Sequence, residues 1–178
     1  MKNSIVIAIS VVALLWMILI INYIIPIDFN QFGIMPRRTE GIKGILFAPF
    51  LHLDWRHLAS NSMPLLVLLT GLFWLYRKVA IRILVLSTVI GGSLVWLLGR
   101  EAFHIGASGV IFSLVAFFIA SGVFKRDFKA ILLAIFVFFM YGGVVWGILP
   151  GQAGVSWESH LFGFIAGIGL AYFFRDVE

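Results

Sequence analysis

The chain contains no cysteine. Disulfides, thiolate nucleophiles and cysteine-ligated metals are excluded, and the redox state of its compartment leaves no trace in the sequence. Charge is scarce too. Asp, Glu, Lys and Arg make up 12% of 178 residues, about half the share of a soluble domain and too few to cover a water-facing surface. The four histidines contain no His-x-x-x-His pair and meet no carboxylate cluster, and His52 and His57, five apart, do not share a helix face. No metal and no cofactor is expected from such a set. The interiors of the long apolar runs carry no ionisable residue, and no inverted repeat is visible, which argues against a transporter or channel.

What is present is hydrocarbon. Hydrophobic residues form 62% of the chain and the mean hydropathy is +1.08, so the solvent is largely lipid. The length suits one domain over 1–178, an all-α, polytopic membrane bundle. Six stretches approach the roughly 20 apolar residues that a span needs: about 4–25, 57–76, 79–98, 108–124, 128–149 and 156–174. The first is too long for a signal-peptide core and no small-residue cleavage site follows it, so it is read as a permanent span. The net charge of +5 is read as basic residues beside anionic lipid, with no nucleic-acid partner. Eight of the thirteen basic residues fall at the N-terminus, after spans two and four, and at the C-terminus: Lys2, Arg77, Lys78, Arg82, Lys125, Arg126, Lys129 and Arg175. Basic residues favour the cytoplasm, so the expected protein is a multi-pass one of the bacterial inner membrane with both termini cytoplasmic. The only long connection, about 26–56, is rich in Phe, Ile and Leu and reads as a partly helical segment lying in the outer interface. The Gly91-Gly92-Ser93 patch of span three reads as helix packing.

With that orientation, spans two, four and six all enter from the outer side, and each has polar residues near its outer end. These are His57 and Asn61 on span two, Ser108 on span four, and Ser156, Glu158, Ser159 and His160 on span six. Polar groups are costly in hydrocarbon, so their gathering at one depth favours a hydrated site open to the outer side. Ser108 alone is ordinary helix packing, and His160 alone an interhelical hydrogen-bonding residue. Together they make a nucleophile and a base. Glu158, two residues from His160, points to a different helix face, so a Ser-His dyad is expected rather than a triad. Phe112, four residues after Ser108, shares its face and is placed to lie against the imidazole. Donors for an oxyanion are at hand in the Asn61 amide, the His57 ring and the Ser108 backbone N–H at a helix start. Span capping and interface anchoring compete for His57 and Asn61. Gly106 and Gly109 permit a tight turn around the serine. Gly163 and Gly167 share a face with His160 and let span six approach span four. His104 is read as merely interfacial.

Three motifs carry a family resemblance: Gly106-Ala107-Ser108-Gly109, His160-x-x-Gly163-x-x-x-Gly167, and His52-x-x-x-x-His57-x-x-x-Asn61. In this order and on these spans the chain resembles a rhomboid intramembrane serine protease of the minimal six-span bacterial type. The resemblance implies cleavage of membrane-anchored protein substrates in or next to their transmembrane segment, within the lipid bilayer and without metal or cofactor. It implies Ser108 as nucleophile, His160 as general base, and His57, Asn61 and the Ser108 backbone as oxyanion hole. It implies His52 as a structural histidine bracing the first loop, span five as the mobile side through which substrate enters, and the loop before Ser156 as a cap. The chain departs from the pattern at Phe112, where some members have tyrosine. It also lacks a Trp-Arg pair in the middle of the first loop, with Trp55-Arg56 beside His57 instead. A catalytically inactive relative that binds or escorts membrane proteins is the alternative, and the presence of both Ser108 and His160 argues against it.

Overall fold

A computed structural model describes residues 1–125, 128–150 and 154–177. Arg126 and Asp127 of the turn after the fourth span, residues 151–153 of the cap segment and Glu178 lie outside the described residues. The described chain is an all-α membrane bundle of seven helices: α1 (Lys2–Ile24), α2 (Gly44–Phe47), α3 (Trp55–Leu75), α4 (Ala80–Leu98), α5 (Ser108–Lys125), α6 (Phe128–Tyr141) and α7 (Trp157–Phe173). Of these, α1, α3, α4 and α5 are each long and apolar enough to cross a membrane.

Burial sorts the helices by position. In α1 the buried residues Ala8, Val12, Leu15 and Leu19 recur every three or four positions, one stripe that packs on α3 while the other faces meet lipid. Trp16 Nε1 donates to Ser62 Oγ across that seam at 3.1 Å. The helix stops before Pro26, which forces Ile25 into an extended conformation (φ −88°, ψ 137°). By contrast α5 is buried without interruption from Ile111 to Phe118. It is the central helix, with α3, α4, α6 and α7 packed around it.

Span five is shorter as an α-helix than the sequence suggests. The α-helix ends at Tyr141 and continues as a 3₁₀ stretch, Gly142–Ile148. The Gly142-Gly143 pair lowers helix propensity where the change occurs. Fourteen α-helical residues rise about 21 Å, so this element reaches membrane thickness only with its 3₁₀ continuation. At 17 residues, α7 sits near the lower limit for a span.

The long first loop is compact. Short 3₁₀ turns at Phe29–Phe32, Thr39–Gly41 and Ala48–Phe50 flank α2. Gly41 and Gly44 let it fold onto itself: a Cβ on either would lie 2.2 Å from backbone atoms of Met35 or Gly33. It is stitched to the segment between α4 and α5. Ile34 and His104 exchange both backbone hydrogen bonds, and Gly106 N–H donates to Ala48 O at 2.9 Å. Arg37 N–H donates to Trp96 O, Trp96 Nε1 donates to Arg38 O, and Arg38 pairs with Glu101 at 2.6 Å. Ile42, Leu46, Phe47 and Phe50 remain exposed along it.

Candidate active site

The turn that delivers Ser108 depends on one residue. Gly106 has φ +110°, and a Cβ there would lie 2.8 Å from the His57 ring and 3.8 Å from Ser108 Oγ. Only glycine satisfies both the backbone and the space. Two residues on, α5 begins, so Ser108 stands at a helix start with its N–H lacking an intrahelical partner.

Ser108 Oγ lies 2.9 Å from His160 Nε2. On the other side of the ring, Nδ1 lies 2.9 Å from Gly147 O in the 3₁₀ stretch. A carbonyl oxygen can only accept, so Nδ1 carries the proton. Nε2 therefore holds the lone pair and accepts the Ser108 O–H. The part that a carboxylate plays in a triad falls to a backbone carbonyl. The Phe112 ring stacks on the imidazole at 4.1 Å between centroids and 7° between planes. Gly147 also makes room: a Cβ there would lie 2.9 Å from Phe112 Cζ and 3.2 Å from His160 Nδ1.

Close approach of helices places His160. A Cβ on Gly163 would lie 2.1 Å from Gly109 O, and one on Gly167 2.0 Å from Ser113 O, so α7 touches α5 backbone to backbone. Gly91 of α4 faces Gly163 in turn, while Gly92 lies against Ile45 of the first loop.

His57 and Asn61 reach the same neighbourhood from α3. The Asp54 side chain caps that helix by accepting His57 N–H at 2.8 Å, and the His57 ring rests over Gly106. Asn61 is buried, with Nδ2 3.1 Å from His52 Nε2. The Ala107 N–H also points at His52 Nε2, at 3.4 Å. Two donors on one nitrogen fix His52 with its proton on Nδ1. Burial pushes its pKa down to about 4, with His57 nearby adding to the effect, which keeps the ring neutral and able to accept. His52 thus joins Asn61 to the residue before Ser108.

A second polar cluster forms around His104, which the sequence reading set aside. His104 is not interfacial but buried, with 1% of its surface exposed. Its Nε2 lies 3.0 Å from Arg100 O and its Nδ1 bonds Ser156 Oγ, which lies 2.7 Å from Ser159 Oγ. The Arg100 carbonyl sets the direction: Nε2–H donates to it, Ser156 O–H donates to Nδ1, and Ser159 O–H donates to Ser156 Oγ. Burial holds the His104 imidazole below the ordinary histidine range. Glu158 is 2% exposed and accepts from the Arg100 backbone N–H at 3.3 Å, with the guanidinium Nε at 3.5 Å. An acid in the first turn of an apolar span was a usable signal. The Gly147 carbonyl left none, because a backbone acceptor has no residue identity. Among the described residues no three His, Asp or Glu side chains gather in a metal-binding cluster.

A family model described as the rhomboid domain matches residues 39–177. A Mycobacterium tuberculosis protein is 39% identical over 178 residues, covering 94% of this chain and 73% of its own length. A Mycobacterium leprae protein is 39% identical over 177 residues, covering 93% and 69% respectively. Both are described as uncharacterized proteins.

Proposed function

Because the chain belongs to the rhomboid family, we propose that it is an intramembrane serine endopeptidase acting on membrane-anchored proteins. The observation that carries this reading is the 2.9 Å contact between Ser108 Oγ and His160 Nε2, with Nδ1 held by Gly147 O.

The steps follow from the hydrogen-bond directions. As Ser108 Oγ attacks the scissile carbonyl carbon, its proton passes to His160 Nε2. The carbonyl electron pair moves onto oxygen. The Ser108 N–H, the Asn61 amide and the His57 ring are the donors nearest that charge. Collapse breaks the C–N bond, and the imidazolium returns its proton to the leaving amine. Water then attacks the acyl-serine, gives a proton to His160 and restores Ser108 as the acid departs. Through the cycle the Gly147 carbonyl faces the Nδ1–H that the imidazolium retains, and Phe112 keeps the ring plane fixed.

The Lys and Arg residues gathered at the turns after α3 and α5, with Lys2 and Arg175 at the termini, support a cytoplasmic placement of those ends. The dyad then opens to the outer side. The test is incubation of the purified chain, in detergent or liposomes, with a helix-destabilised transmembrane substrate. Wild type is expected to cut, and Ser108→Ala and His160→Ala are expected to fold and not cut. Cleavage by both variants would remove the assignment, and a folded wild type that neither cuts nor reacts with a fluorophosphonate would favour the binding or escort role.

A further inference from the structure

The two segments that carry the dyad are tied together a second time, away from it. Arg100 and His104 lie on the loop that ends in Ser108. Ser156, Glu158 and Ser159 lie on the turn that leads to His160. Three links cross between them: the Arg100 N–H and guanidinium to Glu158 Oε1, the Arg100 guanidinium to Val155 O at 2.7 Å, and His104 to Ser156. Resting on the reading of the site as a serine protease, we propose that Glu158 is a positioning residue that sets the rotation of α7 and so the distance from His160 to Ser108.

Helix geometry gives the reason. Successive residues turn by 100°, so Glu158 and His160 project from nearly opposite sides of α7. One grips the loop before Ser108; the other reaches Ser108 itself. Rotation of α7 by about 20° would carry the imidazole roughly 2 Å, given a helix radius with side chains of about 5–6 Å. That is enough to break the bond to Ser108. The glycine contacts with α5 fix the separation of the helices but present smooth surfaces, and they resist rotation weakly. The polar tie resists it.

The cluster is also poorly suited to a purely stabilising part. Glu158 Oε2 is buried with no hydrogen-bond partner, and a buried carboxylate carries a desolvation penalty that an apolar side chain of the same volume avoids. Ser156, at the N-cap position, makes no capping bond. Its hydroxyl serves His104 instead, and α7 forgoes the roughly 1 kcal/mol that a cap contributes. Both features weaken the helix locally and strengthen its attachment to the nucleophile loop.

The experiment uses the full chain in detergent, with a fluorophosphonate fluorophore and a transmembrane substrate. The labelling endpoint counts intact sites, the labelling rate reports Ser108 activation, and kcat and KM are taken per labelled site. Glu158→Ala is expected to reach the wild-type endpoint, but with labelling rate and kcat about 100-fold lower, the effect of an ångström-scale misplacement. KM is expected to stay within about twofold, since substrate contacts are untouched. Glu158→Gln keeps an acceptor for Arg100 and is expected to recover kcat to within about threefold of wild type. Should Glu158→Ala lose its endpoint, Glu158→Asp, which keeps the charge but falls short of Arg100, replaces it with the same expected loss. Wild-type kcat in Glu158→Ala or Glu158→Asp overturns the proposal. So does a Glu158→Gln as slow as Glu158→Ala, which would make the role one of charge and not of position. A wild type that neither labels nor cuts would instead overturn the protease reading beneath it.

Discussion

Gly163 of α7 sits so close to Gly109 of α5 that a Cβ on Gly163 would lie 2.1 Å from the Gly109 carbonyl oxygen. Gly91 of α4 closes on the same point, with Gly163 Cα 3.5 Å from where its own Cβ would be. Three helices therefore cross at backbone distance, one residue from Ser108 and one helical turn from His160. In lipid no hydrophobic force draws helices together, so close backbone packing supplies the contact. Here it also holds Ser108 and His160 in contact.

Gly163→Ala cannot be absorbed by a rotamer change, because the obstructing atom is backbone. We expect it to lower stability by about 1–3 kcal/mol, the usual range for overpacking. As α7 moves off α5, kcat should fall at least tenfold, or about 1.4 kcal/mol in the barrier. Gly169→Ala on the same helix is the control, since a Cβ there meets nothing within 4 Å. It is expected to be neutral, or more stable by about 0.4–1 kcal/mol. Thermal unfolding in detergent and cleavage rates decide; equal behaviour of the two variants would mean that α7 has room to shift.

Phe112 holds the His160 ring by its flat face. Replacing it with leucine keeps an apolar side chain but removes three buried carbons, and should cost about 1–3 kcal/mol of stability. The stacked ring contact, worth about 0.5–1.5 kcal/mol beyond its area, is lost. Phe112→Leu is expected to lower kcat roughly three- to tenfold, with KM little changed. A rate equal to wild type would show that the Gly147 carbonyl alone orients His160.

The membrane class, the resemblance and the polar residues near the helix ends were legible because lipid makes such residues expensive. A serine, an asparagine and two histidines at one level in three apolar runs are readable without coordinates. The attachment of the first loop was not readable, since it rests on backbone pairing between Ile34 and His104 and on the carbonyl of Arg38 facing Trp96. His104 looked like a loop residue because nothing in sequence says that the loop is buried under Ile34. The break at Tyr141 was hidden by hydropathy, which stays high through Val144 and Val145 and does not distinguish an α from a 3₁₀ turn. Gly147 carried no signal, because its function in the site is that of a carbonyl.

His52 predicts a pH dependence of stability. Its pKa is about 4 in the folded chain, below an unfolded value near 6.5, because burial disfavours the cation. As pH falls, the unfolded chain takes up the proton first. The stability contributed by the neutral ring is thus fully present above about 6.5 and is lost between about 6.5 and 4, by at most about 3.4 kcal/mol. His52→Gln keeps an acceptor for Asn61 but has no proton to gain. Its unfolding free energy is expected to fall less steeply than that of wild type across that window. Parallel curves would place the proton elsewhere.

Asn61→Ala separates the two services that Asn61 performs. The amide bonds His52 at 3.1 Å, and its second N–H remains for a developing oxyanion. If it is a principal donor there, its removal should raise the barrier by about 2.7–4 kcal/mol, a loss of roughly 10²–10³ in kcat. KM should hold, because the charge exists only in the transition state. If its main service is to position His52, Asn61→Ala should lower stability and leave kcat per labelled site near wild type. Asn61→Asp distinguishes the cases further. The carboxylate repels an oxyanion, so kcat should fall below that of Asn61→Ala on the first account, and a carboxylate variant faster than alanine would exclude the oxyanion role.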